Sequence, residues 1–293
     1  MTDRPNSPES NNCRIALVQM TSSRQVDISL DQLRLITRDI QPGSVDAIFL
    51  PENFAALASS DVLALGQAES EGLNQPSVHA KEKERILPPL RMLAKEKRTW
   101  VFGGTLPLAT RPDGSEVDGG RVRAASMAID PHGEVVGRYD KRHLFDVEVN
   151  DVSRIYRESE TYEPGTTPVV VPTPFAIVGL SVCYDIRFPH LYRELTRMGA
   201  EILAIPSAFT RPTGEAHFEV LLRARAIENS AFVVAACQTG VHDSGRETYG
   251  HSMVVSPWGD VIGRLSDRPG LLVVDLDLAQ LKIIRHQIPA WRG

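Results

Sequence analysis

The sequence lacks three features that would assign it to other classes of protein. No apolar run approaches the roughly 18–20 residues of a membrane-spanning helix, so we expect no membrane partner. Basic residues are not in excess, since 32 Lys and Arg face 37 Asp and Glu, which disfavours nucleic acid as a partner. Only three cysteines occur, Cys13, Cys183 and Cys237, too few and too scattered for a disulfide framework. Free thiols in a reducing cytoplasm are the expectation.

The chain is predicted to form one domain behind a short tail. Residues 1–12 are polar and lack the apolar stretch of a signal peptide, which indicates a flexible N-terminal tail. No Pro-, Gly- or Ser-rich linker and no internal repeat divides residues 13–293. The 42% of hydrophobic and 24% of charged residues are typical of a globular domain.

Apolar and amphipathic segments alternate along the domain. Near-continuous apolar runs, typical of strands buried on both faces, lie at 13–19, 46–51, 99–104 and 201–209. Apolar residues at three- and four-residue spacing predict helices over 28–40, 79–97 and 216–229. Gly-containing turns predict hairpins over 124–140 and 251–267. The alternation predicts a layered α/β fold.

Three polar stretches are expected to be irregular loops. They cover about 55–78, 107–121 and 239–250. Long loops in a compact domain are often functional lids, although plain exposed loops are the alternative.

Cys183 is the candidate nucleophile. It follows the apolar strand at 175–182, and Pro189 favours the start of a helix shortly after it. A turn between strand and helix is where α/β folds present nucleophiles, and its backbone N–H groups can hold an oxyanion. The alternative is a small buried apolar residue, which is our interpretation of Cys13 and Cys237. No histidine lies in a local signature typical of cysteine proteases, so the sequence does not support a Cys–His pair.

Two further charged residues end apolar strands. Glu52 directly follows the run at 46–51, and Lys141 ends the second arm of the hairpin at 124–140. If these strands share a sheet direction, their side chains can converge with Cys183 at one edge. A solvated strand end is the alternative for Glu52. No cluster of His, Asp and Glu has metal-ligand spacing, so we expect no metal and no cofactor.

Several motifs in the same order resemble the nitrilase, or carbon–nitrogen hydrolase, superfamily. They are FLPENF with Glu52, YDKRHLFD with Lys141, VCYDIRFP with Cys183 and YRESETYEPG with Glu158. The similarity covers about residues 13–290. The RFP after the cysteine, the PSAF segment and the GHSMVV run are closest to the Nit branch.

The resemblance implies a single-domain, four-layer αββα sandwich that forms homodimers or larger oligomers, with the Glu-Lys-Cys site between the ends of the sheets. It implies a cysteine-dependent amidohydrolase with Glu52, Lys141, Cys183 and Glu158 as catalytic residues. We expect Cys183 to attack a small carboxylate-bearing amide, releasing ammonia, and water to hydrolyse the thioester. The branch favours deaminated glutathione or another 2-oxo acid omega-amide as the substrate. Glu52 would be the base, Lys141 and the backbone N–H of Tyr184 would stabilise the oxyanion, and Glu158 would orient Lys141.

Four residues are expected to bind the substrate. Arg187 suits its carboxylate, because a guanidinium binds a carboxylate through two hydrogen bonds, although an ion pair with Asp185 or another acid is the alternative. Tyr184, Phe209 and Thr213 complete the set. Three other functions stay open: a nitrilase, an N-carbamoyl amidohydrolase, or a catalytically silent interaction module. The complete Glu-Lys-Cys set argues against the silent module.

Overall fold

Two β-sheets form the centre of the molecule. The computed structural model describes residues 12–74, 86–151 and 153–292. The first sheet has the strand order β17-β1-β2-β3-β5-β4, with β6 paired to β5. Its strands are β1 (Asn12–Gln19), β2 (Ala47–Leu50), β3 (Trp100–Gly103), β4 (Leu106–Leu108), β5 (Arg123–Ile129), β6 (Val135–Asp140) and β17 (Gly270–Asp277). The parallel pairs β1–β2 and β2–β3 end at the edge from which Glu52 emerges.

The second sheet has the order β16-β15-β12-β11-β10-β9. Its strands are β9 (Val169–Pro172), β10 (Ile177–Leu180), β11 (Ile202–Ala204), β12 (Phe232–Ala235), β15 (Met253–Val255) and β16 (Val261–Arg264). Strands β10, β11 and β12 run parallel, so their carboxyl ends meet at one edge. Two separate hairpins, β7 (Asp146–Glu148) with β8 (Ile155–Arg157) and β13 (Thr239–Val241) with β14 (Glu247–Tyr249), lie outside the sheets.

The alternation of side chains along each strand builds two cores. On β1, Ile15 and Leu17 join an apolar cluster shared with the second sheet, whereas Ala16 and Val18 join a cluster with the helices. Phe49 and Phe102 stack within the core between the sheets, with ring centroids 4.7 Å apart. Burial on both faces explains why these strands have near-continuous apolar sequences.

Helices cover the outer face of each sheet. The helices are α1 (Val26–Thr37), α2 (Val62–Asn74), α3 (Leu87–Lys97), α4 (Pro189–Arg197), α5 (Glu219–Asn229) and α6 (Leu278–Gln287). Leu30 of α1 and Leu90 of α3 pack on the first sheet. Gly179 of β10 faces Leu195 of α4 on the second sheet. The layers therefore run helix, sheet, sheet, helix, which confirms the predicted αββα sandwich.

Most predicted elements appear with shifted ends. Both predicted hairpins are present, as β5–β6 and β15–β16. The helix predicted over 28–40 is α1, and the one over 216–229 is α5, preceded by a π-helical turn at Gly214–Phe218. The helix predicted over 79–97 is present as α3, and its first part lies outside the described residues. Strand β1 begins at Asn12, one residue before the predicted domain boundary, and the rest of the predicted tail also lies outside the described residues.

The prediction of irregular loops was wrong in two places. Helix α2 occupies much of 55–78, and the β13–β14 hairpin occupies 239–250. The polarity of the second segment is misleading, because its polar side chains are buried and hydrogen-bonded. Thr239 and Thr248 have no exposed surface, and the Thr248 hydroxyl lies 2.7 Å from His242 Nε2. Across the described residues, no helix is long and apolar enough to cross a membrane.

Candidate active site

Cys183 lies on a strained turn directly after β10. It opens a 3₁₀ turn, Cys183–Arg187, and its backbone φ of +45° lies in the left-handed region that non-glycine residues rarely adopt. Its backbone N–H donates to Pro206 O at 2.9 Å, and α4 then begins at Pro189 as predicted. Strain of this kind is concentrated at functional sites, where the surrounding structure holds it in place.

Asp185 fixes this turn from inside the protein. Its carboxylate is fully buried and accepts hydrogen bonds from the Tyr139 hydroxyl at 2.7 Å and the Val182 N–H at 2.8 Å. It also accepts from the backbone N–H of His143 at 3.0 Å, and the Nδ1 atom of the same histidine lies 2.6 Å away. Asp185 is therefore occupied in positioning the turn, and the suggested ion pair with Arg187 is not formed.

Glu52 is buried where β2 ends. Only 4% of the residue is exposed, so the solvated strand end is contradicted. Its backbone carbonyl accepts from Gln238 Nε2 at 2.9 Å, and the next residue, Asn53, donates its N–H to Thr105 Oγ1 at 2.8 Å. These bonds hold the carboxylate at the end of the strand.

Lys141 joins two carboxylates. Its side chain is 2% exposed, and its Nζ donates to Glu52 Oε1 at 2.7 Å and to both carboxylate oxygens of Glu158 at 2.9 Å. Glu158 opens the 3₁₀ turn Glu158–Glu160 and also accepts from the Phe145 N–H at 2.5 Å. The ammonium group is thus paired and hydrogen-bonded, as a buried charge must be.

The three central side chains come from two sheets. Glu52 and Lys141 follow strands of the first sheet, whereas Cys183 follows a strand of the second. Local pattern alone predicted convergence at one edge only for strands that share a sheet direction, whereas the family resemblance implied a site between the ends of the two sheets. The three side chains meet because the sheets stack face to face, a relationship that strand order along the chain does not reveal.

Burial and charge set the protonation states. Burial favours the neutral amine of Lys141, but Glu158 and Glu52 outweigh it and hold its pKa well above the usual value. Burial raises the pKa of Glu158, which Lys141 opposes and Glu52 reinforces. Burial and then the Glu52 charge raise the pKa of the Cys183 thiol well above its usual value, although Lys141 lowers it. The resting nucleophile is therefore a thiol that must lose its proton as it attacks.

One cavity of about 340 Å³ contains every predicted site residue. Its lining includes Glu52, Lys141, Glu158, Cys183, Tyr184, Arg187, Phe209 and Thr213. Phe145 and Tyr156 add aromatic surface from the region of the β7–β8 hairpin. The cavity has the size of a site for a small molecule.

Sequence and structure comparisons agree with this architecture. The carbon-nitrogen hydrolase family model matches residues 14–286. A relative from Yersinia enterocolitica, named deaminated glutathione amidase, is 37% identical over 95% of this chain and 91% of its own length. The crystal structure of the Caenorhabditis elegans NitFhit protein superposes with a TM-score of 0.78 at 33% identity, covering 96% of this chain and 65% of that one. The crystal structure of Saccharomyces cerevisiae Nit3, a member of branch 10 of the nitrilase superfamily, superposes with a TM-score of 0.75 at 26% identity, covering 95% of this chain and 94% of that one.

The chain belongs to the carbon–nitrogen hydrolase family. The predicted resemblance to the Nit branch is confirmed, and so is the enzyme class, hydrolysis of carbon–nitrogen bonds other than peptide bonds. Among the described residues, no group of three or more His, Cys, Asp or Glu side chains is arranged to hold a metal ion.

The predicted substrate-binding residues of the hydrolase line one side of the cavity. The Arg187 guanidinium lies 5.9 Å from the centre of the Tyr184 ring and 5.6 Å from that of Phe209. Its Nη2 atom is 3.3 Å from His217 Nδ1, and within the described part of the chain it forms no ion pair. The Thr213 hydroxyl lies 2.8 Å from that of Thr210. A cation without a carboxylate partner beside Cys183 suits an anionic ligand.

Three residues that extend the lining of the cavity beyond Tyr184 were not predicted from the sequence. Phe145 belongs to the YDKRHLFD motif but was not singled out, and Tyr156 lies on a short strand that has no clear periodicity. Arg246 lies in the segment that was interpreted as an irregular loop. A charged residue flanked by polar ones gives no signal of a cavity wall, so only the folded hairpin reveals it.

Proposed function

We propose that Glu52, Lys141 and Cys183 form the catalytic triad of a cysteine-dependent amidohydrolase. The observation that carries this proposal is the buried Lys141 ammonium, held between Glu52 and Glu158 in the cavity that Cys183 lines. This arrangement provides an acid–base group, a cation and a thiol at one point. Those are the parts that nucleophilic attack on an amide requires.

In the acylation step, Glu52 takes the thiol proton as Cys183 Sγ attacks the amide carbon. The raised pKa of the thiol makes this coupled transfer necessary, because little thiolate exists beforehand. Lys141 and the backbone N–H of Tyr184 stabilise the oxyanion, and each such donor contributes about 10²–10³ in rate. Glu52 then returns the proton to the leaving nitrogen, and the C–N bond breaks to leave a thioester.

In the deacylation step, water attacks the thioester carbon while Glu52 accepts its proton. The second tetrahedral intermediate uses the same oxyanion donors; it collapses to the carboxylic acid product as the bond to Cys183 Sγ breaks, and Glu52 returns its proton to the leaving thiolate. Glu158 orients Lys141 through its two 2.9 Å contacts. Its raised pKa makes it a group that can share a proton in this step.

The proposed substrate is a small amide with a carboxylate on its acyl half. Deaminated glutathione and the omega-amides of 2-oxo acids fit this description, and the names of the relatives support the first. Arg187 would bind the carboxylate, with Tyr184, Phe209 and Thr213 around the acyl chain. An omega-amide of a 2-oxo acid releases ammonia. Deaminated glutathione is a secondary amide, so its leaving group is the amine of a dipeptide.

The direct test is to trap the acyl-enzyme. Wild-type protein quenched in acid during turnover of a 2-oxo acid omega-amide is expected to gain the acyl mass on the peptide that contains Cys183. Cys183→Ala removes both the adduct and the turnover, whereas Cys13→Ala, a matched change of another buried thiol, retains both. An adduct on any other residue, or turnover by Cys183→Ala, contradicts the proposal. Nitriles and N-carbamoyl compounds assayed in parallel test the two alternative activities.

We also propose that the hydrolase is a cytoplasmic homodimer or larger homo-oligomer. The requirement for a reduced Cys183 fits that compartment, and the three thiols are free. An apolar patch of Val220 and Ile227 on α5 and Trp258 on the β15–β16 turn supports self-association, since each residue is more than half exposed. Trp258→Glu is expected to lower the mass measured by sedimentation equilibrium. A wild-type protein that sediments as a monomer contradicts the oligomer.

A further inference from the structure

The catalytic cavity contains a cation that the proposed mechanism does not use. Lys141 is neutralised by two carboxylates, and Arg157 on the same wall lies 3.7 Å from Glu148. Arg246 also lines the cavity, yet among the described residues it has no carboxylate within ion-pairing distance. A half-buried guanidinium without a counter-ion is costly unless a ligand supplies the negative charge.

The hydrogen bonding of Arg246 is also incomplete. Its Nη2 donates to Ala208 O at 2.5 Å, and its guanidinium lies 5.2 Å from the centre of the Tyr156 ring. Its Nε is buried and finds no hydrogen-bond partner in the part of the chain that the structure describes. Within the described residues Nη1 donates to no carbonyl or carboxylate oxygen either. The side chain is thus held in place by two neighbours while part of its donor set stays unused.

A row of aromatic rings separates Arg246 from Arg187. Tyr156, Phe145 and Tyr184 follow one another with centroids 5.1 Å apart at each step. Arg246 lies over the Tyr156 end of the row, and Arg187 lies over the Tyr184 end. The cavity therefore presents one cation at each end of an apolar wall, an arrangement that matches a ligand with two separated anionic groups.

The positions of the two arginines indicate which half of the substrate lies at each end of the cavity. Arg187 lies on the same short turn as Cys183, next to the atoms that hold the acyl group. Arg246 and Ser153 line both this cavity and a neighbouring depression of about 320 Å³, so they stand at its outer limit. The acyl carboxylate belongs at the inner end, and a longer leaving group extends to the outer end.

We propose that Arg246 is a specificity residue that binds a carboxylate on the amine half of the substrate. This inference rests on the proposed amidohydrolase function and narrows its substrate class. The preferred substrate is then a secondary amide with one carboxylate on the acyl half and another on the leaving amine, such as an acylated dipeptide. A primary amide, whose leaving group is ammonia, does not use Arg246.

Three amides with one acyl group, that of a 2-oxo dicarboxylic acid, test the assignment. Their leaving groups are ammonia, cysteinylglycine, and cysteinylglycine with a C-terminal carboxamide. For the wild type we expect kcat/KM to be highest on the dipeptide acid. Arg246→Met is expected to lower that value about tenfold to a hundredfold, the loss typical of a hydrogen-bonded charge pair. It leaves kcat/KM on the other two amides within about twofold, and Arg246→Lys restores part of the loss, since it keeps the charge but not the planar fork.

Arg211→Met is the matched control. Arg211 lines the neighbouring depression but is already paired with Glu247 at 3.0 Å and Glu215 at 3.3 Å, so we expect no selective effect. Equal losses on all three amides, no loss in Arg246→Met, or the same selective loss in Arg211→Met overturns the role of Arg246. Wild-type turnover of the primary amide with no preference for the dipeptide acid overturns this inference alone. No turnover of any of the three overturns both it and the proposed substrate class.

Discussion

Replacing Lys141 by methionine tests the charge balance of the site. The change keeps most of the side-chain volume and removes the ammonium group. Glu52 and Glu158 then remain in one buried pocket without a cation between them, their side chains 6% and 14% exposed. Two like charges in a shared site repel each other and also lose their solvent, so the cost falls on stability as well as on the reaction.

The magnitude follows from the burial of the pair. Breaking a buried ion pair from one side costs about 3–5 kcal/mol, because the remaining charge stays uncompensated. That is a large part of the roughly 5–15 kcal/mol that stabilises a typical domain. Loss of the oxyanion donor lowers kcat by a further factor of about 10²–10³.

The destabilisation of Lys141→Met depends on pH in a defined direction. In the wild type the pKa of Glu158 is already raised above its ordinary value of 4.5 by burial, and Lys141 is the group that opposes the rise. Without Lys141 the pKa rises further. A carboxyl group whose pKa is raised in the folded state stabilises the fold below its unfolded pKa, and that contribution is lost as pH rises through the folded pKa. The variant therefore approaches the wild type in stability at acid pH and falls behind it as pH rises from 4.5.

Urea unfolding, followed by circular dichroism from acid to neutral pH, measures this difference. The double variant Lys141→Met/Glu158→Gln removes the cation and one carboxylate together and is expected to recover about 0.5–3 kcal/mol at neutral pH. Glu158→Gln alone is the control. A stability difference that does not change with pH, or a double variant no more stable than Lys141→Met, refutes the reasoning.

Other predictions concern the nucleophile, its turn and a distant helix. The Cys183 thiolate absorbs near 240 nm, and its signal is measured as the difference between wild type and Cys183→Ala. We expect this signal to appear only above pH 9.0, the ordinary pKa of a cysteine thiol, and to appear at lower pH in Glu52→Gln. A titration that Glu52→Gln does not shift contradicts the influence of that carboxylate. Asp185→Asn replaces one acceptor oxygen with a donor in a buried cluster. We expect the free energy of unfolding in urea to fall by about 1–3 kcal/mol and kcat to decrease. Unchanged values of both contradict the positioning role of Asp185. Glu69→Gln leaves one of the two backbone N–H groups at the start of α3 without its carboxylate acceptor, and unfolding free energy is expected to fall by about 0.5–2 kcal/mol with kcat unchanged.

The layers of the fold were predictable because burial leaves a pattern in the sequence. The run at 13–19 is apolar at nearly every position, since one face of β1 packs against the second sheet and the other against helices. Pro189 marks the start of α4, and the glycines at 133 and 259 mark the two hairpin turns. These patterns depend only on residues that are close in the sequence, so they can be recognised before the tertiary contacts are known.

The pairing of the site residues was not predictable in the same way. Each of Glu52, Lys141 and Cys183 was placed at a strand end by local pattern, but only the resemblance to a known family implied that the three lie between the ends of two sheets. The resemblance to a known family, rather than any spacing, selected Glu158. Arg246 was missed because its segment is polar, and a polar segment predicts a loop whether or not it closes a cavity.

The site depends on contacts that cross between the sheets. Tyr139 lies near the end of β6 in the first sheet, and its hydroxyl donates to the Asp185 carboxylate below the Cys183 turn of the second. In the opposite direction, Gln238, which follows β12, binds the Glu52 carbonyl. Each sheet therefore positions the catalytic group carried by the other. Small shifts in sheet packing change the distance between thiol and carboxylate, and a catalytic arrangement tolerates little displacement of this kind. The apolar core between the sheets thus sets the geometry of the reaction as well as the stability of the fold.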